Sequence, residues 1–509
     1  MINDGPPPQK PRTLSAVLTA IYITSPSSSS FHHSQQMSSG LPPPIPPAQP
    51  STDEKVVTSD LKQPHEGESG YPATPAPPEH CQPSRRRRCC RRFGHFLLVA
   101  LFLWLTARFL MRHCELRRLG PDHLDLLPWD PAIVAHADKH HPPGEIDACV
   151  NPSDWTEFSH PDHPLFDVWR RTELSLPSSA DDVFLFSRGL HAIGVLHVVE
   201  APDRDDIGVE LIVGSNDKSL LFDSTNVCKL HRRAGGHGVG IFTPPFKRRL
   251  HDRDVLFFNI TLSLPQGKDV NVLPHFETHL PLFHQTIKKL PTHTFGSISL
   301  HSFDGPIFAE SLVGDKIKIY SSNAPIGGVF NTSSLLKVKT RNAPVDVRVN
   351  AFNKDNASPT QIKIHTSNSV IFAHISLVST HEDQAGGAFV VHARTSNGPL
   401  GLNFTDQPPD SLLKLEAHTS NAPARVHLHP AYEGFYKLRT TFFPPVLAVD
   451  DNVEDPTGRG RKRVIDEKTV GRGPFRILHG DVVWVPQDEG APKGKVDVST
   501  TNSPVQLLV

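Results

Sequence analysis

A short asparagine-centred motif, repeated through the C-terminal half, limits this chain more than any other feature. It reads Ser321-Ser322-Asn323-Ala324-Pro325 and then Thr340-Arg341-Asn342-Ala343-Pro344. It returns at Thr366 to Val370 around Asn368, Thr395 to Pro399 around Asn397, Thr419 to Pro423 around Asn421, and Thr500 to Pro504 around Asn502. An earlier copy, Ser302 to Pro306, carries Asp304 at its centre, and a degenerate copy places Phe442 there. Successive centres lie 19, 19, 26, 29, 24 and 21 residues apart through 442, with a last step of 60. A period near 20 that varies only by insertion implies one supersecondary unit per repeat, stacked on its neighbours.

The flanks say what the unit is. Six and four positions before the centre stand apolar or small residues, among them Ile317 and Ile319, Leu336 and Val338, and Ile362 and Ile364. Two positions before it is Ser or Thr, and three after it is Ile326, Val345, Ile371, Leu400, Ala424 or Val505. Period two on both sides of a corner means a strand, a turn and a second strand, each with one buried face. The expected fold is all-β, a β-solenoid or β-helix-like stack with one rung per repeat. The alternation predicts Ser/Thr and Asn ladders on the inward side, with the asparagines turning the corner in a left-handed conformation.

The remainder of the chain has a different character. Residues 1–84 are rich in Pro, Ser, Gln and Gly and bury too little apolar surface to offset the entropy of ordering, so a disordered tail is expected. Six arginines fill 85–92, a basic juxtamembrane segment, and 93–111 is a 19-residue apolar run, close to the roughly 20 residues that span a ~30 Å hydrocarbon core. The arginine excess predicts a single transmembrane helix with a cytoplasmic N-terminus and an extracellular or lumenal C-terminal domain. Cys89 and Cys90 then occupy a palmitoylation-type position. Residues 113–165 read as a stalk, 166–296 as an N-terminal β-rich region, and 297–509 as the repeats, with a polar insertion at about 450–490. Val195–Val199, Val209–Val213 and Leu256–Leu264 are predicted strands.

That orientation puts all four N-glycosylation sequons, at Asn259, Asn331, Asn356 and Asn403, beyond the membrane. It also puts Cys149 and Cys228 in an oxidising compartment, where they can pair.

Chemistry is sparse. With 52 Lys+Arg against 53 Asp+Glu, the overall charge selects no nucleic-acid partner. Counting from the corners, however, collects Lys318, Lys337, Lys339, Lys363 and Arg394 on one outward face, beside Tyr320, His365, His392 and His418, with no carboxylate until Glu416 and Asp497. A stripe of this kind attracts an anionic polysaccharide; the plainer reading is a solvated face. Glycoside hydrolysis needs a carboxylate pair that the stripe lacks, so no enzyme activity is expected. His136, His140 and His141, His160 and His163, and His275 and His279 are spaced loosely like metal ligands but match no metal motif, and no cofactor is expected. Arg459 to Arg463 reads as an exposed basic loop, open to proteolytic nicking.

The motifs centred on Asp304, Asn323, Asn342, Asn368, Asn397, Asn421 and Asn502 resemble an adhesin-like β-solenoid repeat family. They are similar to fungal single-pass proteins with repeated TSNAP-type motifs, over about residues 190–509. The resemblance implies a surface or extracellular β-solenoid and supplies no catalytic residues. Taken together, the expectation is a membrane-anchored protein with an adhesin-like ectodomain, structural or binding in role, whose partners are the membrane and an anionic polysaccharide or cell-surface partner. The alternative is a membrane-tethered carbohydrate-active enzyme.

Overall fold

A computed structural model describes residues 144–158, 166–189, 192–216, 221, 225–232, 235–243, 256–354, 357–471, 476–486 and 493–509. The tail, the arginine run, the apolar segment 93–111, Cys89 and Cys90, and most of the stalk lie outside these residues. So do Asn356 and the histidines at 136, 140, 141, 160 and 163. Among the described residues no helix is long and apolar enough to cross a membrane. The described chain is all-β, with 28 strands joined in one hydrogen-bonded network.

The N-terminal strands are β1 (Glu145–Cys149), β2 (Thr156–Phe158), β3 (Val168–Leu176), β4 (Asp182–Arg188), β5 (Ala192–Ala201), β6 (Ile207–Ser215), β7 (Asn226–Arg232), β8 (Gly236–Phe242) and β9 (Leu256–Pro265). β5, β6 and β9 fall where sequence alternation predicts strands. Residues 144–158, expected as stalk, instead belong to the sheet: β1 pairs antiparallel with β7, and β2 with β3.

β10 (Asn271–His279), β11 (Phe283–Ile287), β12 (His293–His301), β13 (Ile307–Tyr320), β14 (Ile326–Lys339), β15 (Val345–Asn353), β16 (Thr360–His365), β17 (Ile371–Ser379), β18 (Ala388–Arg394), β19 (Leu400–Asp406), β20 (Leu412–His418) and β21 (Ala424–His427) follow. Each motif corner separates two strands that join different ladders. β16, β18 and β20 pair in parallel on one side, and β15, β17, β19 and β21 on the other. β13 and β14 are long enough to run through both ladders, pairing at Ile307–Ala309 and again at Lys316–Tyr320. The same stacking extends back to β10, β4 and β8 and to β11, β5 and β9, so no boundary falls at residue 297.

Alternate residues of both ladders face inward and form one continuous core, from Leu176 to Val509. Pairs such as Ile317 and Ile319, or Val391 and Ala393, are essentially solvent-free. Burying one Ile or Val side chain contributes about 1.5–3 kcal/mol, which is why the apolar spacing survives insertions between rungs.

Chain order and stacking order diverge at the C-terminus. β22 (Gly434–Thr440), β23 (Val446–Ala448), β24 (Lys462–Ile465), β25 (Lys468–Val470), β26 (Arg476–Val485), β27 (Gly494–Ser499) and β28 (Val505–Leu508) complete the chain. β27 lies between β20 and β22, and β28 between β21 and β23. The Asn502 rung is therefore threaded between the Asn421 and Phe442 rungs rather than following them. β26 then closes the edge of β22 in antiparallel fashion, with β24 and β25 on its far side. Covering an open edge in this way blocks pairing with another chain.

Candidate functional site

The corners fix the register of everything around them. At each one, two successive amides converge on a single carbonyl of the preceding rung: Ser367 and Asn368 on Arg341, Ser396 and Asn397 on Ser367, Ser420 and Asn421 on Ser396. The asparagine side chains form a second ladder. Each Nδ2 donates to the Oδ1 below it: Asn502 to Asn421, Asn421 to Asn397, Asn397 to Asn368 and Asn368 to Asn342 (each 2.7 Å), Asn342 to Asn323 (2.6 Å), and Asn323 to Asp304 (2.8 Å).

This ladder differs from the sequence expectation in two respects. The asparagines are exposed, not inward. Nor are they left-handed, since among the described residues only Gln384 and Asp410 are non-glycines with positive φ. The reason is the next residue. Ala324, Ala343 and Ala422 turn into the core at the corner, which leaves the asparagine outside. Space there is tight: a Cβ on Gly398 would lie 1.8 Å from the Ser369 carbonyl oxygen.

The Ser/Thr positions are buried as expected, but their hydroxyls do not bond one another. Thr366 donates to the Ala343 carbonyl (3.2 Å), Thr395 to Ser369 (3.0 Å) and Thr419 to Gly398 (3.0 Å), each satisfying a corner carbonyl of the rung below.

With the corners in register, the outward side chains before them form two columns. One runs Lys318, Lys337, Lys363, His392, Glu416, Asp497, Lys437. The other runs Tyr320, Lys339, His365, Arg394, His418, Ser499, Arg439. Neighbours within a column are about 4.8 Å apart. Lys318, Lys337 and Lys363 are thus consecutive in one column, Lys339 and Arg394 flank His365 in the other, and none of the five cations forms an ion pair. Like charges at this spacing repel unless an anion is supplied.

The two ends of the stripe are chemically different. Toward the C-terminus the sign changes. Glu416 faces His392 at 3.2 Å, and Asp497 accepts three guanidinium bonds from Arg439, one from Nε (3.2 Å) and two from Nη2 (2.9 and 3.0 Å). Toward the N-terminus the column becomes a stack of rings: Phe186 on His279 (centroids 5.3 Å), His279 on His301 (5.9 Å) and His301 on Tyr320 (4.7 Å), with the Lys337 Nζ 5.3 Å from the Tyr320 centroid. His275, spaced loosely from His279 like a metal ligand, is exposed and outside this stack. Burial, then Lys339 and Arg394 on either side, hold His365 below the ordinary imidazole range. Burial, then Arg394 and Arg439, do the same to His418, with Asp497 opposing them.

No family model and no curated protein matches this chain. Two solved structures are similar to it. One is a "putative cell adhesion protein" from Clostridium sporogenes ATCC 15579, at 9% identity and a TM-score of 0.16, covering 67% of this chain and 99% of that one. The other is a "putative adhesin" from Parabacteroides distasonis ATCC 8503, at 7% identity and a TM-score of 0.23, covering 67% and 96%. At such low TM-scores neither likeness carries an argument about fold or function.

The remaining sequence-predicted sites are structural in their surroundings. Asn259, Asn331 and Asn403 are half-buried residues of β9, β14 and β19. The Asn331 Nδ2 donates to the Ser311 Oγ (3.4 Å) and the Leu312 carbonyl (3.3 Å), while its Oδ1 accepts from Asn350 (2.8 Å). Asn403 contacts the His374 Nδ1 at 3.3 Å. A glycan on the Asn331 Nδ2 would have to displace one of the two bonds that nitrogen donates. Cys149 and Cys228 face each other across β1 and β7 and are disulfide-bonded, with an S–S distance of 2.07 Å.

Within the segment Arg459 to Arg463, residues 459, 460 and 462 are exposed as expected, but Arg461 turns inward. The Arg461 side chain is only 5% exposed and pairs with Asp455 (3.1 Å) and Glu433 (3.0 Å). Burial alone would raise the Asp455 pKa, but hydrogen bonds from Arg461 and Thr457 more than offset it and hold the carboxyl well below the usual range.

Proposed function

We propose that the described domain is a β-solenoid that binds an anionic glycan lengthwise along the Lys318, Lys337, Lys339, Lys363 and Arg394 stripe, in an adhesive or structural role. In this reading the apolar segment 93–111 anchors it to a membrane and the domain lies on the extracellular or lumenal side. The parallel ladders, with two strands per turn about a shared core, support the solenoid. The binding reading rests on one observation: five cations stand in register with no carboxylate partner. A linear polyanion with a charge every few ångströms along the stacking axis would neutralise them all.

One observation favours the enzymatic alternative. Glu416 and Asp497 are outward carboxylates on adjacent strands. Asp497 is, however, held bidentately by Arg439, as a charge partner would be.

The test is retention of the full-length chain on a sulfated polysaccharide matrix. The Lys337→Glu, Lys339→Glu, Lys363→Glu variant should lose salt-sensitive retention. Equal retention of wild type and variant would refute the stripe as the site.

A further inference from the structure

We infer that His365 and His418 make polyanion binding along this stripe acid-strengthened, so that the domain holds its ligand more tightly in acid than at neutral pH. This inference rests on the binding reading above and concerns the regulation of the same site.

The geometry is that of an interrupted charge column. In one column Lys339, His365, Arg394 and His418 follow one another on β14, β16, β18 and β20. At neutral pH the fixed charges Lys339 and Arg394 are separated by a neutral ring, and Arg394 is followed by another. Protonation fills both gaps. These two rings are therefore additional positions of the cationic lattice.

The groups around each ring define what protonation must overcome. His365 is faced by Lys339 from β14 and Arg394 from β18, with Lys363 two residues back on its own strand. His418 is faced by Arg394 from β18 and by the Ser499 Oγ from β27 at 3.0 Å, and Arg439, Asp497 and its own strand's Glu416 lie near. His365 and His418 are thus set among cations that oppose their charging. An anion laid over the stripe offsets that repulsion, so binding and protonation reinforce each other by linkage. Imidazole is the side chain whose ordinary titration range makes such coupling usable between mildly acidic and neutral solution.

The experiment uses the full-length chain and dextran sulfate, whose sulfate esters stay ionised throughout, so that any pH effect belongs to the protein. Kd is measured at about pH 8 and about pH 5 at equal ionic strength. Wild type should bind about tenfold or more tightly in acid, since each 1.4 kcal/mol is tenfold. In the His365→Gln, His418→Gln variant, with its fold checked by circular dichroism, the ratio of the two Kd values should fall to near one. His365→Gln alone should give an intermediate ratio. Binding by wild type that is unchanged between the two pH values overturns the inference and leaves the binding reading intact. An undiminished ratio in the double variant also overturns it, by assigning the effect to other groups. Failure of wild type to bind at either pH removes the binding reading itself.

Discussion

Asp304 is the only carboxylate in a column otherwise made of asparagines, and the direction of the hydrogen bonds explains it. Every amide in the column donates toward lower residue numbers, so the last position needs only an acceptor. A carboxylate is acceptor-only and meets that need. Position along the ladder also sets the cost of removal. Asn397 both donates to Asn368 and accepts from Asn421, whereas Asn502 only donates. A hydrogen bond contributes about 0.5–1.5 kcal/mol net, toward the lower end where water competes. Asn397→Ala should therefore lower unfolding free energy by about twice as much as Asn502→Ala in urea titrations; equal losses would show that each asparagine acts alone. The Ser/Thr positions were legible as inward because they keep the period of the preceding strand. The outward turn of the asparagine was not legible, because period-two counting fails where the chain bends and the next small residue takes the core position.

Among the elements, the repeat spacing predicts every motif strand but not the order in which the last ones stack. The rungs around Asn421, Phe442 and Asn502 carry the same apolar alternation, so nothing local distinguishes an inner rung from an end rung. The degenerate centre at Phe442 is the available clue. It lies on the outermost motif rung, beyond Asn502, where the amide ladder stops and no asparagine is required. Deleting residues 493–509 should then remove an interior rung, separate β22 and β23 from the stack and abolish cooperative unfolding. If the rungs stacked in chain order, the same deletion would cost only one end rung and leave a lower but still single transition. Circular dichroism during thermal unfolding separates the two results. The stripe itself was legible by counting back from each corner. The ring stack was less so, because Phe186 and His279 lie on β4 and β10, outside the motif copies, and only strand pairing sets their register.

Across the whole molecule, burial holds His197, His284, His365, His418 and His429 below the ordinary imidazole value of 6.5, with neighbouring cations or histidines adding to the effect. The sign follows from proton binding. Below 6.5 the unfolded chain takes up protons at these positions while the folded chain resists, so stability is fully present above 6.5 and declines as pH falls toward the folded-state values. Urea midpoints should therefore drop between about pH 7 and pH 5. A midpoint that rises over the same interval would contradict the assignment of these rings as neutral in the fold. A bound polyanion should restore part of the loss, since it stabilises the charged form of the stripe histidines.

The most direct test of the central claim is the salt dependence of dextran sulfate binding to the full-length chain near neutral pH. Five cations neutralised in register should release bound counterions together, giving log Kd that rises with log salt at a slope of about 3 to 5. A slope near zero, or one that Lys337→Glu, Lys339→Glu, Lys363→Glu leaves unchanged, would mean that the stripe is a solvated face and not a binding site.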